Sequence, residues 1–241
     1  MTLRAENRAS GEIRELKLTR NYLPFPEGSC FVELGGTKVI TTASFEDNVP
    51  QWLKGKGTGW VTAEYGMLPR STNTRNKRIQ SGQSPNGRTI EIQRLVGRSL
   101  RAVTDLEKLG ERSIYIDCDV IIADGGTRVA SIIGSAVSLF DAGTWLIKKG
   151  VIENHIMREL VAGISVGIID SSINIDLCYE EDSRADVDMN VIMTESGKFI
   201  EIQGTAERKT FDRTMLDMML DSAGAAIKKI ISVQKEALGL L

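Results

Sequence analysis

Histidine is nearly absent from the 241-residue sequence, which contains only His155. Nucleases that use paired histidines, histidine-rich zinc sites and most Ser/His/Asp arrangements are therefore excluded. Acid or base chemistry must then come from carboxylates. The Gly-x-x-x-x-Gly-Lys-[Ser/Thr] spacing of a P-loop is also absent, so a small-molecule kinase is the weaker interpretation of any phosphate-binding feature.

Cysteine and long apolar runs are scarce as well. Cys30, Cys118 and Cys178 lie far apart in apolar, strand-like runs. This pattern excludes a disulfide framework or a CxxC metal site and predicts buried thiols. No run approaches the roughly 18 apolar residues of a membrane span, and residues 1–8 lack the apolar segment of a secretory signal. We therefore expect a cytoplasmic protein without a membrane partner.

Positive charge is unevenly distributed along a chain whose net charge is −2. Residues 70–101 include eight basic side chains and one acid, Glu91, so this segment carries +7 and the rest of the chain −9. A basic region on an otherwise acidic chain indicates a polyanion site, although a solvated loop explains the charge equally well. The basic residues are Arg70, Arg75, Lys77, Arg78, Arg88, Arg94, Arg98 and Arg101.

The first part of the chain predicts strands followed by helices. Apolar and charged residues make up 41% and 26% of the sequence, and the length fits one domain over residues 1–241. Gly35-Gly36 joins two strand-like runs, which predicts a hairpin in an antiparallel sheet. A helix capped by Thr89 follows a polar loop that is long enough to be functional. The expected segments are strands at 30–34, 37–43, 60–67 and 114–122, the loop at 69–87, and helices after Thr89 and after Arg128.

The second part of the chain repeats this order. Four strand-like runs, with a turn at Ser196-Gly197, predict a second antiparallel set. A long helix is expected from about Phe211, burying Met215 and later apolar residues. The two halves therefore suggest an internal duplication of an α+β unit. The expected strands are 160–169, 173–178, 187–193 and 198–205.

The corner Gly125-Gly126-Thr127-Arg128 lies where the strand at 114–122 gives way to a helix. Free backbone N–H groups and the helix dipole favour an anion there, glycine allows it to approach closely, and arginine matches phosphate oxygens. A plain turn with Thr127 as the helix cap is the alternative. Arg88, at the start of the preceding helix, is a cation where the dipole opposes it, which mildly favours a nearby anion.

An acidic run, Glu180, Glu181, Asp182, Asp186 and Asp188, falls between two predicted strands. Asp186 and Asp188 would share a strand face, and Asp182 could fold back beside Asp188. Such carboxylates can bind Mg²⁺ or protonate a leaving oxygen, whereas a solvated acidic turn is the simpler interpretation. Asp117 and Asp119 on their strand are a weaker second choice.

Five segments together resemble the ribonuclease PH family of phosphorolytic exoribonucleases. The resemblance covers nearly the whole chain. At the start, Asn7-Arg8 and Ile13-Arg14-Glu15-Leu16 depart from the family pattern, as does Val129 after the glycine corner. The segments are GWVTAEYGMLPR at 59–70, EIQRLVGRSLRA at 91–102, DCDV at 117–120 with ADGGTR at 123–128, EDS at 181–183 with DVDMN at 186–190, and QGTAE at 203–207.

This resemblance implies an α+β, two-layer ribonuclease PH fold (ribosomal protein S5 domain 2-like), with mixed sheets packed against helices, internal pseudo-duplication and a hexameric ring of three dimers. It also implies phosphorolysis of tRNA precursors and other RNA 3′ ends, with inorganic phosphate as co-substrate and Mg²⁺ as cofactor. A non-catalytic RNA-binding ring subunit is the alternative. The implied sites are Arg88, Gly126, Thr127 and Arg128 for phosphate, Asp182 and Asp188 for catalysis and metal, and Arg70, Arg75, Lys77, Arg78, Arg94 and Arg98 for RNA.

Overall fold

The computed structural model describes residues 4, 7–78 and 85–241, so residues 79–84 of the expected loop lie outside the described part of the chain. Each half of the chain begins with strands and ends with a long helix. The strands and helices are β1 (Leu16–Arg20), β2 (Gly28–Leu34), β3 (Thr37–Glu46), β4 (Trp60–Met67), α1 (Gly87–Ala102), α2 (Leu106–Leu109), β5 (Ser113–Ile122), α3 (Thr127–Lys148), β6 (Val161–Ile169), β7 (Ser172–Ile175), α4 (Tyr179–Asp182), β8 (Val187–Thr194), β9 (Phe199–Ala206) and α5 (Arg213–Leu238).

The first sheet has five strands in the order β1-β2-β3-β5-β4. The predicted hairpin joins β2 and β3, and Gly35 in its turn has φ +52°, a conformation that favours glycine. The antiparallel pattern predicted from the hairpin ends at one edge, where β4 pairs with β5 in parallel, so the sheet is mixed, as the resemblance implied. The chain between them forms α1 and α2, and a connection of this length allows parallel pairing.

The second sheet is antiparallel, as predicted, in the order β7-β6-β8-β9. Gly197, with φ +83°, forms the predicted turn between β8 and β9. Strand β7 stops at Ile175, earlier than expected, and Asp176 has φ +54°. This residue leaves the ladder because its carboxylate is bound to Arg14, a contact that strand periodicity does not report.

One hydrophobic core runs through both halves of the chain. Helix α3 packs against β2 and β3 of the first sheet and β6 of the second, whereas α5 covers β6. In the described part of the chain, α3 alone has the length and hydropathy of a membrane span, and 78% of its most apolar stretch is buried inside the protein. The structure thus confirms an α+β fold with mixed sheets packed against helices.

Several local predictions are corrected at helix ends. Helix α1 is capped by Asn86, whose side chain accepts a hydrogen bond from the Thr89 backbone N–H, so the cap lies three residues before Thr89, the expected cap. Met215 is 42% exposed in the first turn of α5, where the helix has not yet reached the core. The three cysteines are buried free thiols, as predicted.

Candidate active site

A single cleft of about 830 Å³ brings the predicted phosphate and carboxylate residues together. Its walls come from the polar loop after β4, the start of α1, the β5–α3 corner, α4 and β8. The first half of the chain therefore supplies one wall and the second half the other. All six predicted phosphate-binding and catalytic residues line it: Arg88, Gly126, Thr127, Arg128, Asp182 and Asp188.

The glycine corner at the start of α3 depends on its two glycines. Gly125 and Gly126 have φ +74° and +69°, and a Cβ on Gly125 would lie 2.5 Å from the Leu177 carbonyl oxygen. Gly126 is the cap of α3 and makes no side-chain capping bond, so the interpretation of Thr127 as a capping threonine is wrong. The first N–H groups of α3 therefore face the cleft without a capping side chain, which suits an anion.

Tyr65 is a buried residue behind Thr127 whose part in the site was not predicted from the sequence. Its hydroxyl lies 2.9 Å from Thr127 Oγ1, so β4 braces the first residue of α3. Burial raises the pKa of the Tyr65 phenol above its ordinary value. Its place in the 59–70 segment was a signal for this role, but nothing in that segment indicated its partner.

Arg128 and Arg88 form the cationic part of the cleft. Arg128 lies in the first turn of α3, and its Nη1 donates a hydrogen bond of 2.8 Å to Gln203 Oε1. Arg88 is exposed in the first turn of α1. Both guanidinium groups favour the charged forms of Asp182 and Asp188, which places positive and negative groups across the same cleft.

Asp182 and Asp188 form the acidic part. Asp188 is the second residue of β8, and burial, followed by repulsion from Asp182, raises its pKa to about 6. Asp182 ends α4, and burial raises the pKa of its carboxyl as well, although Arg88 and Arg128 oppose that shift. Two neighbouring carboxyls that resist ionisation together are a common arrangement for proton transfer or cation binding.

The other predicted acids are held elsewhere. Asp186 does not share the cleft with Asp188, because its carboxylate bonds Lys209 Nζ at 2.9 Å. Glu181 is buried and forms ion pairs with Arg4 and Arg8. Asp117 accepts a hydrogen bond of 3.4 Å from the Thr42 hydroxyl, and burial raises the pKa of Asp119. Neither Asp117 nor Asp119 lines the cleft.

Asp182 and Asp188 are the two carboxylates of the cleft that could hold a Mg²⁺ ion. Within the described ranges no group of three or more His, Cys, Asp or Glu side chains is placed to hold a metal ion. Mg²⁺ keeps several waters and is usually bound by one or two carboxylates together with substrate phosphates. Asp182 and Asp188 beside a phosphate site match that donor set.

A buried ion pair lies beneath the cleft. Arg14 is fully buried and donates to both carboxylate oxygens of Asp176, at 2.7 Å to Oδ1 and 3.0 Å to Oδ2. Its Nη1 also donates to the Asp124 carbonyl, at 2.6 Å, and Nη2 to that of Gly125. Arg14 therefore ties the glycine corner to the segment that leads into α4. No local pattern indicated this role, because the three segments are far apart in the chain.

None of the predicted RNA-binding residues lines the cleft. All six are exposed, in the polar loop after β4 or on α1. Other residues of the same loop do line the cleft, so Arg70 and Arg75 are next in sequence to cleft residues, which are Ser71, Thr72, Asn73, Thr74 and Asn76. Arg98 is bound to Glu201 of β9 at 2.6 Å. The loop and helix positions are Arg70, Arg75, Lys77 and Arg78, and Arg94 and Arg98.

Family models match most of the chain: domain 1 of the ribonuclease PH (3′ exoribonuclease) family covers residues 12–144, and domain 2 covers residues 159–226. The chain belongs to this 3′ exoribonuclease family. The fold predicted from the resemblance is thus confirmed. The extent of the single domain expected over 1–241 stays a prediction.

Solved structures share the fold. Rice (Oryza sativa) Rrp46 aligns with a TM-score of 0.79 at 14% identity, over 98% of this chain and 100% of that one. A chain of the Archaeoglobus fulgidus exosome with RNA bound to the active site aligns with a TM-score of 0.80 at 20% identity, over 96% of this chain and 92% of that one. An archaeal exosome core chain aligns with a TM-score of 0.78 at 20% identity, over 96% of this chain and 91% of that one.

Proposed function

We propose that this protein is a phosphate-dependent 3′→5′ exoribonuclease that trims the 3′ ends of tRNA precursors and other RNAs. One observation carries the proposal: an anion-binding corner and a pair of carboxyls with raised pKa values face each other across one cleft. An enzyme that transfers a nucleotidyl group between two oxyanions needs such a pairing of cations and acids.

The corner binds the attacking phosphate. Arg88, Arg128 and the N–H groups at Gly126 and Thr127 hold inorganic phosphate in line with the last phosphodiester of the RNA. A phosphate oxygen forms a bond to the phosphorus of the terminal nucleotide as the bond from that phosphorus to the 3′ oxygen of the preceding nucleotide breaks. The products are a nucleoside 5′-diphosphate and an RNA shorter by one nucleotide. No covalent intermediate with the protein is needed.

The acidic wall of the cleft, formed by Asp182 and Asp188, stabilises and protonates the departing 3′ oxygen. Asp188, with a pKa raised to about 6, is protonated in part of the molecules near neutral pH and can deliver a proton to that oxygen. Asp182 raises the pKa of Asp188 through its charge. Asp182 and the ionised form of Asp188 would hold Mg²⁺, which would supply charge neutralisation for the phosphates and the leaving oxygen.

The exposed basic residues of the loop and of α1 bind the RNA backbone. Contacts with phosphates rather than bases give affinity that falls steeply with salt and little base preference. The RNA bound to the active site of the Archaeoglobus fulgidus exosome supports an RNA substrate for a chain of the same fold. The likeness to exosome chains also supports a ring, which we propose is a cytoplasmic homohexamer of three dimers.

A non-catalytic RNA-binding ring subunit is the second candidate, favoured by the likeness to exosome core chains. It requires the basic surface but neither the phosphate corner nor the carboxyl pair. Both sets of groups line the cleft of this chain, which favours the enzyme.

A phosphate-omission assay separates the two. The protein is incubated with a short single-stranded RNA and Mg²⁺, with and without inorganic phosphate, and the released nucleotides are separated by chromatography. Nucleoside diphosphates that appear only with phosphate support phosphorolysis. Nucleoside monophosphates, or no release under either condition, would overturn it.

A further inference from the structure

Two features singled out in the sequence have no role in the mechanism above. Glu91 is the one acid in the basic segment 70–101, and Gln203 begins the segment QGTAE at 203–207. The structure brings them together beside Arg128. Gln203 Nε2 donates a hydrogen bond of 2.6 Å to Glu91 Oε1, and Arg128 Nη1 donates one of 2.8 Å to Gln203 Oε1. The three side chains come from α1, β9 and α3.

The carboxylate of Glu91 fixes the orientation of the Gln203 amide. A glutamine amide has a donor end and an acceptor end, and an ionised carboxylate only accepts hydrogen bonds. Glu91 therefore holds the NH₂ end, so the amide oxygen must face the Arg128 guanidinium. With the NH₂ end toward Arg128, two donors would oppose each other and the contact with Arg128 would be lost.

The direct interaction of Glu91 with Arg128 is the weaker one. Their closest atoms, Nη1 and Oε1, are 3.7 Å apart, beyond hydrogen-bonding distance, and the Glu91 side chain is 45% exposed, so water screens the pair. The Arg128 side chain is only 14% exposed. The amide oxygen of Gln203 thus occupies one N–H of a nearly buried guanidinium and leaves other N–H groups for the cleft.

We propose that Glu91 and Gln203 are positioning residues that aim the Arg128 guanidinium at the phosphate in the cleft. The inference rests on the proposed function, because it takes inorganic phosphate as the ligand of Arg128. Since a guanidinium binds phosphate through fixed, paired N–H directions, its aim matters as much as its charge.

The Glu91→Gln substitution tests this role by the sign of its effect. If Glu91 acted only as a negative charge near Arg128, removing that charge would strengthen phosphate binding. If it orients Gln203, the amide at 203 can rotate, Arg128 loses its fixed acceptor, and phosphate binding weakens by about threefold to tenfold. The measurement is calorimetric titration of the full chain with inorganic phosphate, without RNA, which reports affinity independently of turnover.

A double-mutant cycle shows whether the two residues act through one path. Gln203→Leu alone is expected to weaken phosphate binding by a similar factor, and Glu91→Gln in that background is expected to add nothing, because the amide it orients is gone. Full additivity would overturn the shared path. In steady-state assays both variants should raise KM for phosphate more than they lower kcat, a split that a general loss of folded protein does not produce.

Glu201→Gln is the matched control. Glu201 lies on the same face of β9 as Gln203, pairs with Arg98 on α1 and is also partly exposed. The substitution therefore removes a similar charge without changing a contact of Arg128. Its phosphate affinity should equal that of the wild type. A wild-type chain that binds no phosphate overturns the proposed function itself. A wild-type chain that binds phosphate, with a Glu91→Gln chain that binds it equally or more tightly, overturns only the positioning role.

Discussion

The two walls of the cleft are organised in opposite ways. The cationic wall is braced before any ligand arrives: Tyr65 contacts Thr127, and Gln203 contacts Arg128. On the acidic wall, burial disfavours the charged forms of Asp182 and Asp188, and repulsion from Asp182 adds to this effect at Asp188. One wall is therefore preorganised for an anion, whereas the other gains stability when a proton or cation binds.

The largest expected effect comes from removing the acid itself. Asp188→Asn keeps the size of the side chain but can neither lose nor supply a proton at ordinary pH, so kcat should fall on the order of a thousandfold. Single-turnover assays with labelled RNA measure this. Phosphate affinity should persist, because it resides on the other wall, and a variant that retains more than a tenth of wild-type kcat would contradict the role of Asp188.

Asp217→Asn provides the control for that variant. Asp217 is an exposed carboxylate on α5 that pairs with Arg213, and its removal should leave kcat unchanged.

The buried pair that joins the two walls should dominate stability. Asp176→Asn leaves the Arg14 guanidinium buried without its counter-ion, which should lower the free energy of unfolding by about 3 kcal/mol. Arg14 is charged in the folded protein. Burial opposes its charge, but hydrogen bonding to Asp176 raises its pKa. Urea denaturation measures the loss. Glu33→Gln, which breaks only the exposed contacts with Lys17 and Lys38, should cost less than about 1 kcal/mol.

Substitutions in the cationic wall should change KM for phosphate more than kcat. Arg128→Lys keeps the charge but loses the planar fork, so KM for phosphate should rise about tenfold while kcat changes less. Steady-state assays at varied phosphate concentrations measure both constants. Arg112 pairs with Asp47 away from the cleft, so the control substitution Arg112→Lys should leave both constants at their wild-type values. An Arg128→Lys enzyme with an unchanged KM would remove Arg128 from the phosphate site.

The smallest effect concerns pH. Because the pKa of Asp188 is raised to about 6 in the folded protein, a rate that needs its proton falls as pH rises through about 6. Asp182→Asn removes the repelling charge and should move that fall to lower pH, which a pH profile of the residual kcat would show. A rate that instead rises through pH 6 would mean that Asp188 acts in its ionised form, as a cation ligand.

The same pKa fixes the sign of the stability change. Between about pH 4, the unfolded value, and about pH 6, the folded chain binds more protons at Asp188 than the unfolded chain does. The contribution of this group to the free energy of unfolding therefore decreases as pH rises across that window. Asp188→Asn should remove that part of the pH dependence in urea denaturation.

Local patterns were sufficient for much of this molecule. Periodicity predicted the buried face of α1, and residue chemistry indicated the glycine corner and the acidic run. The cleft that joins them was expected only from the family resemblance. Local patterns failed where distant contacts decide: Asp186 turns to Lys209 instead of the cleft, and β7 ends where Asp176 meets Arg14. The Tyr65 contact with Thr127 depends in the same way on how β4 packs beside α3.

The most direct test of the central claim follows the phosphate itself. RNA without label is incubated with the protein, Mg²⁺ and radiolabelled inorganic phosphate, and the released nucleotides are separated. If orthophosphate bound at Arg88, Arg128 and the glycine corner is the nucleophile, the label must appear in the terminal phosphate of nucleoside 5′-diphosphates. Nucleotides released without label would show that water attacks instead and would contradict the account.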